Sequence, residues 1–63
     1  MAKRTEQQER HVEEVVEFCR ENREALENIP KLQFKLDYVK KNFPDVALDI
    51  VLKGLARWLR RAA

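Results

Sequence analysis

Serine is absent from this 63-residue chain, and Thr5 is its only threonine. The usual hydroxyl nucleophiles are therefore missing. Cysteine and histidine occur once each, as Cys19 and His11. Both fall on one expected helix, separated by about 12 Å at a rise of about 1.5 Å per residue. That is too far for a nucleophile and its base to share a hydrogen bond. One cysteine forms no intrachain disulfide, and one Cys with one His cannot supply a four-ligand zinc site. The unpaired thiol points to a reducing, cytoplasmic setting. The single glycine, Gly54, sits inside a helical pattern, so no phosphate-cradling loop is expected. No apolar run approaches the roughly 18 residues of a membrane span. The stretch "MAKRTEQQER" lacks the apolar core of a signal peptide. These absences predict a non-enzymatic chain with no cofactor and no metal.

What is present fits a folded helical domain. Apolar residues make up 44% and charged residues 38% of the chain, compatible with one domain over 1–63. So short a chain buries a small fraction of its surface and is marginal alone. Without disulfide or metal, a partner subunit or very good helix packing has to supply stability. Charge is unevenly placed. Residues 1–30 carry five basic and eight acidic side chains, and residues 31–63 carry eight basic and three acidic. This asymmetry can steer the first helix onto the rest of the chain or onto another copy.

Three helices are expected, over about 6–27, 31–42 and 45–61, in a helical hairpin or bundle completed by dimerisation. The first opens on "TEQQ", where Thr5 and Gln8 fit a capping box. Val12, Val15, Val16, Cys19 and Leu26 form its apolar stripe. Glu6–Arg10, Arg10–Glu14, Arg20–Glu24 and Arg23–Glu27 stand at i, i+4, each pair worth about 0.2–0.5 kcal/mol. Pro30 then disfavours helix at Ile29.

The next stretch, "KLQFKLDYVKKNF", carries two periods. Leu32, Phe34, Leu36 and Tyr38 alternate as in a strand, while Leu32, Leu36, Val39 and Phe43 follow a helix. A strand would need an intermolecular partner, since no other segment reads as one. The helical reading also uses Val39 and Phe43, and is preferred. In the last helix, Leu48, Leu52, Leu55 and Leu59 form a tight stripe that reads as the core. It starts near Asp45 as N-cap or Pro44 as first residue.

Four of the five aromatic rings fall off the central stripes. Phe34 and Tyr38 lie on the far side of the second helix, Phe18 lies beside its stripe, and Trp58 flanks the leucines. Clusters of large exposed apolar groups mark interfaces, and Tyr and Trp are enriched among residues that dominate binding. Phe18, Phe34, Tyr38 and Trp58 are therefore the expected protein-contact face. Small Ala47 and Gly54 would let another helix approach closely. The expected function is a protein-binding adaptor, inhibitor or regulator that forms a homodimer. The competing reading is a dimeric DNA-binding regulator, with Lys53, Arg57, Arg60 and Arg61 contacting phosphates. No Asn, Gln or Ser on the last helix is available to read bases.

The segment "NFPDVALDIVLKGL" resembles the Phe-Pro turn and following helix of ubiquitin-binding CUE domains. That family continues with a further short helix ending in a leucine pair. Here one long helix is expected in its place, and no site residues are carried over.

Overall fold

The computed structural model describes residues 2–62, with side chains from Glu6 onward. Four α-helices make up the fold: α1 (Ala2–Glu21), α2 (Arg23–Glu27), α3 (Leu32–Asn42) and α4 (Leu48–Ala62). No strand occurs among the described residues. The stretch with two periods is thus helical, ending at Asn42 with Phe43 as its C-cap just before Pro44. The molecule measures 38 × 23 × 16 Å.

The expected first helix is divided in two at Asn22. Its backbone N–H and its side-chain Nδ2 both donate to the Phe18 carbonyl, each at 2.9 Å. A side chain that competes for backbone partners weakens a helix interior. With φ −108° and ψ 27°, Asn22 leaves helical geometry and α2 restarts behind it. The ion pairs around the break differ from those the spacing predicts. Arg20 turns back to Glu17 at 3.0 Å, away from Glu24, whereas Arg23 keeps Glu27 at 3.4 Å. At the other end, α1 is already helical at Ala2, so Thr5 does not mark its start. The Thr5 side chain lies outside the described residues.

Lys35 closes the connection after α2. Its Nζ donates to the carbonyl of Leu26 at 2.6 Å and to that of Ile29. A cation there satisfies carbonyls that a helix end leaves without intrahelical partners. After α3, the Val46 N–H donates to the Phe43 carbonyl at 3.1 Å, which makes Phe43–Val46 a turn with Pro44 at its second position. Helix α4 therefore starts three residues later than Asp45, at Leu48, and the Ala47 carbonyl accepts its first helical bonds.

The core consists of Val12, Val15, Val16, Cys19, Leu26, Val39, Val51, Leu55 and Trp58. On α1 this is the expected stripe. On α4 it is a different face from the expected one. Val51, Gly54, Leu55 and Trp58 are buried, while Leu48 and Leu52 are exposed and Leu59 is half-buried. Of the four leucines assigned to the core, Leu55 alone is fully buried. At 100° per residue, the buried face is centred about 90° from the Leu48–Leu52–Leu59 line.

Gly54 explains this rotation. A Cβ built there would stand 2.5 Å from Val15 Cβ and Cγ1 and 3.0 Å from the Val12 carbonyl oxygen. The small residue thus seats α1 of the same chain, and the close approach turns the Gly54 side of α4 inward. Trp58, four residues on, follows it into the core. Higher up, Trp58, Arg61 and Ala62 line one groove with Val16, Arg20 and Arg23. Helices α1 and α4 pack directly on each other, and α3 lies beside them, chiefly against α4.

Gly54→Ala is expected to destabilise the protein by about 1–3 kcal/mol through overpacking. This should hold even though Ala is favoured over Gly inside a helix by about 1 kcal/mol. Urea unfolding followed by circular dichroism measures it. Val15→Ala should cost less in the Gly54→Ala background than in the wild type. A neutral or stabilising Gly54→Ala would show that the helices do not meet there.

Candidate functional site

Two regions leave large apolar side chains in solvent. On α3, Leu32 and Phe34 are 51% and 52% exposed; on α4, Leu48 and Leu52 are 54% and 41% exposed. Phe34 is five positions before buried Val39, which sets it about 140° round the helix from the core. No neighbouring element covers that side. Leu48 and Leu52 begin a ridge that continues through half-buried Leu59. Alongside it, on the solvent side, lie Asp49, Lys53, Ala56 and Arg60, all exposed.

The other rings assigned to a contact face are sheltered within the chain. Trp58 is 5% exposed and belongs to the core, because α4 is rotated by the Gly54 seat. Phe18 and Tyr38 are half-buried and pack at 6.0 Å between ring centroids. Phe43 meets Phe18 edge-on at 5.4 Å, an arrangement favoured by aromatic quadrupoles. The Tyr38 hydroxyl donates to Asn22 Oδ1 at 3.3 Å, and Asn42 Nδ2 donates to the Tyr38 carbonyl at 3.0 Å. These contacts tie α3 to the break after α1. Of the four proposed contact aromatics, Phe34 is the one that stands exposed.

Charged side chains join α1 to α4 along one seam. Arg57 donates to Glu9 and, at 2.6 Å, to Glu13; Arg61 reaches Glu13 at 3.4 Å. Two of the four cations considered for phosphate contact are thereby held by carboxylates of the acidic helix. Lys53 and Arg60 are exposed. The Arg57 guanidinium, followed by Arg61, holds the Glu13 carboxyl below its ordinary value of 4.5. Hydrogen bonds that Arg57 donates first to Glu9 and then to Glu13 hold the proton on its guanidinium more firmly still.

Beside this seam an open groove of about 400 Å³ runs past Trp58. Glu13, Glu17, Arg20, Arg23 and Arg61 give it mixed charge, with no concentration of one sign. Cys19 has no solvent contact, and burial pushes its thiol up to about 11. A thiol in that state is protonated at neutral pH and inert as a nucleophile. His11 is half-buried on α1. Among the described residues, no group of three or more His, Cys, Asp or Glu side chains is placed to hold a metal ion. Among them also, no helix is long and apolar enough to cross a membrane.

The helix that carries both His11 and Cys19 was legible from the sequence; the shelter of Trp58 was not. Its signal was Gly54 four positions earlier on the same face. Comparison with family models, with curated proteins and with solved structures finds no match for this chain.

Two measurements probe this arrangement. Because the folded state lowers the Glu13 pKa, the unfolded chain takes up the proton first. The stabilisation from Glu13 is present above 4.5 and is lost as pH falls through the folded value. Glu13→Gln should lower stability at pH 7 and flatten its dependence on acid. Equal acid dependence in variant and wild type would remove the Arg57–Glu13 contact from the account. Cys19 should react with a thiol reagent at least about tenfold more slowly in buffer than in denaturing urea, since reaction requires opening of the core. Equal rates would mean an accessible thiol.

Proposed function

We propose that this chain is a non-enzymatic helical protein–protein interaction module that self-associates. One observation carries the reading: four large apolar side chains, Leu32, Phe34, Leu48 and Leu52, stand about half exposed on a chain of 63 residues. Single exposed apolar residues are ordinary, but a pair at i, i+4 with an adjoining half-buried leucine is a continuous ridge. A small domain gains proportionally most from covering such a ridge with a second molecule. A single thiol kept reduced in the core suits a cytoplasmic setting.

The phosphate-binding reading has less support. Arg57 and Arg61 already satisfy Glu9 and Glu13, so release to a phosphate would leave those carboxylates without their cations. Only Lys53 and Arg60 of that set extend into solvent away from this seam.

Light scattering over a wide concentration range tests the proposal. The mass should rise from 7.5 kDa towards twice that value as concentration increases. A constant monomer mass up to millimolar concentration would defeat it.

A further inference from the structure

Helix α4 has a surface that complements itself, and we infer that its Leu48–Leu52–Leu59 ridge packs antiparallel against the same ridge of a second copy. This rests on the self-associating reading above and names the surface and orientation. The ridge spans about 40° of the helix circumference, at 100° per residue. Leu48 and Leu52 are exposed and Leu59 is half-buried, so the line has apolar area left to cover along its length. Ala56 lies next to it and is exposed. Its small side chain allows two helices to approach closely.

The charges beside the ridge select the orientation. Asp49 stands near the start of α4, with Lys53 near the middle and Arg60 near the end, all exposed on one side of the leucines. Side by side in the same direction about a two-fold along the helices, the two charged flanks would lie at opposite edges of the interface, where Asp49 and Arg60 would not meet. That pairing therefore gains nothing from these charges, whereas end-for-end pairing brings opposite signs together at its ends, with the long, exposed Lys53 side chains of both copies beside the axis. Turned end for end about an axis near residue 54, the helices place Asp49 beside the partner's Arg60. The same operation places Leu48 against the partner's Leu59 and Leu52 beside the partner's Ala56. A two-fold interface uses every contact twice, so the Asp49–Arg60 pair occurs at both ends. The arrangement also closes on itself, leaving no ridge to recruit a third copy.

Asp49 and Arg60 lie outside the Arg57–Arg61 seam with Glu9 and Glu13, so exchanging them leaves the α1–α4 contact in place. Three variants test the inference by sedimentation equilibrium, with circular dichroism as a check on folding. Asp49→Arg and Arg60→Asp should each weaken dimerisation by about tenfold or more, because each converts two attractive pairs into two repulsive ones. The double variant, Asp49→Arg with Arg60→Asp, should recover most of the wild-type affinity. Recovery has a clear origin. Both exchanges oppose the α4 dipole, so within one chain the double variant is the least favourable of the three. A merely structural effect would therefore worsen from single to double.

Leu52→Glu should abolish association while leaving the helical signal unchanged, since Leu52 is outside the core. If the wild type dimerises and neither the exchanges nor Leu52→Glu alters its affinity, the α4 inference is overturned while self-association stands. If single and double exchanges weaken association progressively, the antiparallel orientation is wrong. A wild type that stays monomeric defeats both.

Discussion

The contact of Gly54 with Val15 and the Val12 carbonyl governs the rest of the molecule. Helices pack at interaxial distances set by the side chains where they cross. Here one side contributes no side chain at all, and the other contributes a valine against a backbone hydrogen. The approach turns the Gly54 side of α4 inward, and every other residue on that helix follows by its position round the axis. Val51 and Trp58 enter the core with it. Arg57 and Arg61, on the adjoining arc, arrive opposite Glu9 and Glu13. The leucine ridge is carried to the edge. A larger residue at position 54 would oppose the whole set together.

The electrostatic asymmetry of the chain has its clearest expression in that seam. Basic groups near the C-terminal end of α4 favour its dipole by about 0.3–1 kcal/mol each. The same groups meet the acidic helix, so local and tertiary preferences agree, the condition for a consistent folding landscape. The contacts remain partly solvated. Exposed ion pairs contribute little individually and weaken with salt, so the seam guides the register of α1 on α4 more than it supplies stability. Burial of the valines, Leu26, Leu55 and Trp58 supplies that. The polar links of α3, through Lys35 to the end of α2 and through Tyr38 to Asn22, orient the third layer in the same manner.

Much of the fold was legible because helix periodicity is strong. The α1 stripe, the helical form of 32–42 and the stop before Pro44 follow from spacing and from the constraint proline imposes on its predecessor. The break at Asn22 was not, because charge pairs across it favour an unbroken helix. It depends on a local competition for the Phe18 carbonyl and on Tyr38 reaching the same asparagine from another element. The face of α4 was misread for a related reason. Leucines at i, i+4, i+7 and i+11 outweigh a glycine on any hydrophobicity scale, yet packing responds to shape as well as transfer energy. The valine and cysteine surface of α1 fits against Gly54 more closely than against a row of leucines. Apolar excess was foreseen in the rings; most of it resides in leucines.

That displacement bears on function. Fully burying a leucine is worth about 1.5–3 kcal/mol relative to leaving it in water. Leu48 and Leu52 realise only part of this within one chain. Neither is required by the Gly54 seat, and a polar residue at either position would leave the Val15–Gly54 contact intact. Their presence therefore has no account within the monomer core. A second helix laid along the ridge would complete the burial of both, and for so small a domain that increment is a substantial share of total stability. The charges flanking the ridge would find partners of opposite sign in antiparallel self-pairing and none in parallel self-pairing. One short stretch, Leu48 to Arg60, thus carries the apolar area, the small residue for close approach and the signed charges that would set direction. The same rotation that shelters Trp58 leaves this surface outward, so the packing of the core and the exposure of the leucine ridge have a common origin in Gly54.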